Sequence, residues 1–186
     1  MHSLLITRWW TIWLSNALDK KFCWYRLCYN LFSIGTFIAA VCYQLSLPQV
    51  EVLIFDGWQH IVQVLLYAYA FYMFFAGAKR YDMKYFLGLQ QIEDARSGRR
   101  RQKPTFSFSE NLAGGVRHPW YSAGIALVLA FPSFTDVMLA AKSVLVCYLV
   151  IGTKLEERKL RKEFGDMYVE YCRKVPMLFP RLIKKF

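Results

Sequence analysis

The sequence predicts an all-α integral membrane protein. It reads as about four transmembrane helices, an N-terminal interfacial helix and a C-terminal amphipathic helix on the cytoplasmic face. Three observations carry that expectation. Of 186 residues, 56% are hydrophobic and 18% aromatic, yet 20% are charged, a mixture that suits a small membrane protein with charged flanks better than a soluble domain. Residues 27–50, 57–78 and 119–135 carry no charge, and 137–153 carry only Lys142. The other 23 of the 24 Lys and Arg fall within 1–26, 79–118 and 154–186.

Each element has its own signal. Residues 4–18 hold Trp9, Trp10 and Trp13 beside Arg8. The run is too short to span and lacks a basic leader and a small-residue cleavage site, so it reads as a helix in the headgroup zone that Trp prefers. The first span runs over 27–47 and stops near Pro48; the second runs over 55–78. At about 1.5 Å per residue, both cover a ~30 Å hydrocarbon core. In the long connection, 81–95 reads as helix and Arg96–Pro104 as a basic loop. The loop is either solvated beside lipid headgroups or a lid with a phosphate contact. The third span opens on Pro119, a residue favoured at the first helical position because its missing N–H would lack a partner there. Phe131-Pro132-Ser133-Phe134 turns the chain, and the fourth span ends near Gly152. These two runs hold 17 residues each, the lower end for a span; buried helices of a soluble protein are the alternative. From Thr153 the pattern is amphipathic, with Leu160, Phe164, Tyr168, Tyr171 and Val175 at three- or four-residue spacing. It reads as one helix ending before Pro176. The expected division is 1–110, with the interfacial helix, two spans and the basic loop, and 111–186, with the hairpin and its C-terminal helix, joined as one structural unit.

Charge placement orients the chain. The connections near 48–56 and 131–136 hold Glu51, Asp56 and Asp136 and no basic residue, so both termini and the middle segment are expected in the cytoplasm. The net charge of +11 reads as orientation and attraction to membrane lipids, with no nucleic acid as partner. The five cysteines form no CxxC pair. They read as small apolar residues, with neither a disulfide framework nor a metal site. Lys142, the one charge inside a span, reads as snorkelling to the outer surface; an intramembrane functional group is the alternative. His60, near the outer end of the second span, has no partner in sight.

Ionisable and aromatic residues gather where the hairpin would bring 117–124 and 156–171 to one face of the bilayer. His118-Pro119 opens a helix whose N–H groups, with Arg117 alongside, favour an anion such as a carboxylate. Tyr121 and Gly124 share a helix face, and Gly124 leaves room for an approaching group; a plain packing contact between spans is the other reading. Glu156 fits a capping box, Thr153-x-x-Glu156, which leaves Glu157 unexplained. Alternatively, both carboxylates are acceptors for an ammonium, a sulfonium or a ribose diol. Tyr168 and Tyr171 read either as membrane-interface packing or as a stack for an adenine ring.

The pattern Arg117-His118-Pro119-x-Tyr121-x-x-Gly124, then Glu156-Glu157, then Phe164-Gly165-x-x-Tyr168-x-x-Tyr171 and Val175-Pro176, resembles the C-terminal half of the isoprenylcysteine carboxyl methyltransferases. The wider group takes in phospholipid methyltransferases and bacterial NnrU-like and methanethiol S-methyltransferase-like proteins. The resemblance covers residues 111–180. It implies an integral membrane methyltransferase in the inner membrane of a bacterium, with S-adenosyl-L-methionine bound on the cytoplasmic side. It implies cofactor binding by Arg117, His118, Pro119, Tyr121, Gly124, Glu156, Glu157, Tyr168 and Tyr171, with Arg117, His118 and Glu157 catalytic. Isoprenylcysteine enzymes carry arginines shortly before the double Glu, where this chain has Val150-Ile151-Gly152-Thr153-Lys154. A thiol or other lipophilic or membrane-permeant acceptor is therefore expected over a prenylcysteine carboxylate. A thiol must lose a proton, for which His118 is the candidate base. A membrane NADPH-dependent reductase of sterol-reductase type and a non-enzymatic accessory protein on the same scaffold are the alternatives.

Overall fold

The computed structural model describes residues 8–53, 57–79, 82–98, 115–132 and 134–180. Most of the basic loop expected over 96–104 lies outside them. In chain order the elements are α1 (Arg8–Leu18), a 3₁₀ helix (Asp19–Trp24), α2 (Tyr25–Ser46), β1 (Glu51–Leu53), α3 (Gln59–Ala78), α4 (Met83–Leu87), α5 (Leu89–Arg96), α6 (Pro119–Ala130), β2 (Phe134–Thr135), α7 (Asp136–Phe164) and α8 (Asp166–Lys174). Three helical stretches are long and apolar enough to cross a membrane: Lys21–Ser46, Gln59–Ala78 and Asp136–Phe164. The described residues are mostly helical, and these stretches mark the chain as a membrane protein.

The chain divides into two compact units. One comprises 1–47 and 81–105. Its α2 buries no residue, as a lipid-facing apolar helix requires. The α4 end is tied to the start of α2. Arg26 Nε donates to the Phe86 carbonyl (3.1 Å) while its Cζ lies 4.8 Å from the Tyr85 ring centre, and Asn30 donates to the same carbonyl (3.2 Å). The helix expected over 81–95 is broken at Gly88, whose φ of 93° suits glycine. A Cβ there would lie 2.8 Å from the Leu27 nitrogen.

The other unit comprises 48–80 and 106–186. In it α3, α6 and α7 pack side by side, and side-chain contacts give their register. Gln63 Nε2 donates to the Ala130 carbonyl (2.9 Å), Tyr69 and Ser122 share a hydroxyl bond (2.7 Å), and Trp120 Nε1 donates to the Phe74 carbonyl (3.1 Å). α3 and α6 are therefore antiparallel. α6 and α7 are antiparallel too, since Lys142 reaches the Phe131 carbonyl (2.7 Å), Leu149 faces Gly124 and Tyr121 faces Gly152. Val116, Met73 and Ala123 form a buried cluster with Tyr69 against it.

Several differences from the sequence reading concern this unit. The expected third span is helical over 12 residues only, about 18 Å. Pro132 disfavours helical geometry at the residue before it, and Phe131 is extended. Lys142 does not snorkel: it is buried, bonded to Phe131 O and set 3.3 Å from the Phe134 ring centre. It thus serves a carbonyl that the end of α6 leaves open. The capping box is absent. α7 runs unbroken through Thr153, whose hydroxyl donates to the Leu149 carbonyl (2.8 Å), and the helix starts instead at Thr135, which accepts from Met138 N (3.2 Å). The amphipathic segment is two helices, parted at Gly165 (φ 57°, ψ −134°). His60 pairs within its own helix, 3.4 Å from Gln63. At the far end from Gly165, β1 pairs antiparallel with β2, Glu51 opposite Thr135.

Candidate active site

The register that seats Tyr121 on Gly152 carries the start of α6 to the Glu156-Glu157 turn of α7. The two residues before α6 are fixed first through their backbone. Arg117 N donates to the Pro176 carbonyl (2.9 Å) and His118 N to the Met177 carbonyl (3.1 Å). The segment after α8 thus pairs with the segment before α6, which gives Val175-Pro176 a structural role. These two N–H groups are therefore taken, and Pro119 has none.

Glu157 is the hub. Its side chain is 7% exposed. Arg117 makes a bidentate pair with it, Nε to Oε1 (2.8 Å) and Nη2 to Oε2 (2.9 Å). His118 Nε2 and the Tyr168 hydroxyl each lie 2.8 Å from Oε1. Arg161 stands 3.8 Å away and Cys172 Sγ 3.6 Å away, both from Oε2. Arg117 Nη1 also donates to the carbonyls of Cys172 (3.0 Å) and Val175. A buried charge pair is tolerated when such bonds satisfy its remaining donors and acceptors. Burial alone would lower the proton affinity of Arg117, but the hydrogen bonds to Glu157 and its charge raise it overall. Burial and the Glu157 carboxylate hold the Tyr168 hydroxyl well above the usual tyrosine range, and push the Cys172 thiol up.

His118 is 3% exposed and sits edge-on to Tyr121, with ring centres 5.8 Å apart. The Glu157 carboxylate has no hydrogen to give, so its contact requires the hydrogen on Nε2. That leaves Nδ1, a buried atom with no hydrogen-bond partner among the described residues. Such an unmade bond costs about 1–3 kcal/mol. Glu156 Oε2 stands 3.9 Å from it, on a side chain 36% exposed.

The structure therefore brings together Arg117, His118, Glu157 and Tyr168, with Glu156 and Tyr121 beside them. Tyr171 is buried next to Tyr168, ring centres 5.9 Å apart, within a cluster that includes Val175, Leu160 and Phe164. Neither tyrosine is an exposed interface anchor. Gly124 lies farther along α6, where a Cβ would sit 3.3 Å from Leu149 Cδ1: it serves the contact between helices.

The chain is 28% identical to Methanethiol S-methyltransferase 1 of Bradyrhizobium diazoefficiens over 181 residues, which cover 92% of this chain and 58% of that protein. The chain is thus similar in sequence to a protein named methanethiol S-methyltransferase. It is 35% identical over 94 residues to the Methanethiol S-methyltransferase of a Pseudomonas sp. strain, covering 50% of this chain and 36% of that protein. It is 39% identical over 67 residues to that of Pseudomonas deceptionensis, covering 36% and 26%. The chain spans little more than half the length of the first of these relatives and less of the others. No family model matches it, and no solved structure matches it at a significant level.

Two participants in this cluster escaped the sequence reading. Cys172 read as a small apolar residue, yet its sulfur and its carbonyl both reach the cluster. Its position one residue after Tyr171 was the available signal. Met177 enters through its carbonyl alone, which no side-chain pattern encodes.

Proposed function

We propose that this chain is a membrane methyltransferase that moves a methyl group from S-adenosyl-L-methionine to a small thiol. The observation that carries the reading is the convergence of Arg117, His118, Glu157 and Tyr168 at one end of the α6–α7 hairpin, in a chain whose relatives are named for thiol methylation. The residues present fit the donor in charge. Glu156 is a part-exposed carboxylate beside an orphaned buried nitrogen, and suits the amine and sulfonium of such a molecule. His118, Tyr121 and Glu156 would face the ligands. Arg117, Glu157 and Tyr168 would hold His118, while Pro119, Gly124 and Tyr171 shape the packing behind them. When bound, the donor supplies a methyl carbon made electrophilic by its sulfonium. The chain supplies orientation, exclusion of water and a place for the thiol proton.

The same reading has α6 and the residues up to Asp136 complete a fourth crossing. The site end faces the cytoplasm with both termini, in the inner membrane of a bacterium. A small apolar thiol partitions into the bilayer and reaches the site along the apolar hairpin walls.

Calorimetry on the protein in nanodiscs, followed by labelled methyl transfer to methanethiol, a prenylcysteine analogue and extracted lipids, tests the proposal. Binding of S-adenosyl-L-methionine and transfer to the thiol are expected. Binding of neither the donor nor S-adenosylhomocysteine, or thermal stabilisation by NADPH instead, would sink it. Preferred transfer to the prenylcysteine carboxylate would overturn the thiol alone.

A further inference from the structure

We propose that His118 takes the thiol proton on Nδ1, and that Glu157 is the positioning residue that makes this nitrogen the base. The proposal rests on the thiol reading above and adds the atom and its orienter. Three observations carry it. The Glu157 carboxylate can only accept, so the 2.8 Å contact fixes the hydrogen on Nε2. The ring cannot readily turn over, because Glu157 is itself held by both arms of Arg117 and by Tyr168. Nδ1 is then the ring's bare lone pair, buried and without a protein partner among the described residues.

The step balances within the chain. The S–H bond of the thiol breaks, a bond from hydrogen to Nδ1 forms, and the S–H electron pair stays on sulfur as a thiolate nucleophile. The imidazole becomes an imidazolium, with Glu157 on Nε2 and Glu156 3.9 Å from Nδ1. Arg117 is the cation that opposes this charge, and its bidentate pairing with Glu157 moderates the opposition. Tyr168 bonds the same Glu157 oxygen, Arg161 and Cys172 stand at its other oxygen, and the Tyr121 ring is edge-on to His118. Glu156, being part exposed, gives the proton a route back to water after transfer.

Two measurements test the role. In the full chain with ¹⁵N-labelled histidine in nanodiscs, His118, assigned by its loss in His118→Asn, should show a neutral ring protonated at Nε2. A ring protonated at Nδ1 overturns the proposal whatever the activity. In the second, two acceptors are compared at neutral pH: an alkanethiol, which must lose its proton, and an acidic aryl thiol, which is already ionised. His118→Asn should slow transfer to the alkanethiol by about a hundredfold or more, and to the aryl thiol by less than about tenfold. Equal losses would mean that His118 only shapes the site. If the unaltered protein methylates neither thiol, the thiol reading falls and this role with it, an outcome distinct from equal losses in a working enzyme.

Discussion

At the scale of single residues, the site is organised by what Glu157 would leave behind if removed. Arg117 is 8% exposed and His118 3%, so Glu157→Ala strands a buried cation. Breaking one side of such a pair costs about 3–5 kcal/mol, and the unfolding midpoint in detergent should fall by roughly 10 °C. Glu156→Gln, at a part-exposed carboxylate outside hydrogen-bond range of His118, should move the midpoint by no more than about 2 °C. A reversal of that order would mean that Glu157 is not the hub. Tyr168 and Cys172 set the pH response. Burial first, and Glu157 second, raise both groups in the folded state, so folding favours their protonated forms. That contribution is full below the unfolded values, about 8.5 for Cys and about 10 for Tyr, and is lost as pH rises through the folded ones. Melting followed from pH 8 to 11 should therefore show falling stability, and Tyr168→Phe should flatten the fall. An unchanged alkaline slope in that variant would assign it to other groups.

At the scale of elements, glycines and aromatics set how closely helices approach. A Cβ on Gly77 would lie 2.3 Å from Trp120 Cδ1. The Trp120 indole has little freedom, since it stacks on Phe74 at 6.2 Å and bonds its carbonyl. Gly77→Ala should cost about 1–3 kcal/mol by overpacking. Gly124→Ala, meeting only the end of Leu149 at 3.3 Å, should cost less, and detergent unfolding of the two variants checks the order. The sequence displays one partner of each contact and hides the other. Apolar runs with Pro119 at a helix start mark α6, and the hairpin then predicts that His118 meets Glu157. Nothing in the spacing predicts Trp120 on Gly77 or Tyr69 on Ser122, because those pairs depend on the register between α3 and α6. Thr153 departs from the capping pattern for a related reason. Its hydroxyl caps a helix only where a helix begins, and inside one it bonds back four residues; the charge that follows Gly152 marks the end of the apolar window, not of the helix. Gly165 carries the true break, at a φ that glycine tolerates.

At the scale of the whole molecule, α7 decides how a site of this kind can be both wet and greasy. Its 29 residues measure about 43 Å, beyond a ~30 Å core, so part of it must project. Its apolar half begins beside the β1–β2 pair, which holds Glu51 and no basic residue. Its other half carries Lys154, Arg158, Lys159, Arg161 and Lys162 around Glu157. On the proposed reading the basic end is the one that projects, and by the positive-inside tendency it is expected on the cytoplasmic side. The donor, charged and soluble, would meet the site from that side, and an apolar thiol from the bilayer. Single cysteines placed at Glu51 and at Glu163, with the native cysteines replaced, test this within one unit. An impermeant maleimide on right-side-out vesicles should label Glu51→Cys alone, and inverted vesicles should label Glu163→Cys alone. Labelling of both from one side would mean that α7 does not cross. Glu157, with His118 against it, would then lie at the surface, where a part-exposed Glu156 needs no membrane to explain it and the route for an apolar acceptor is lost.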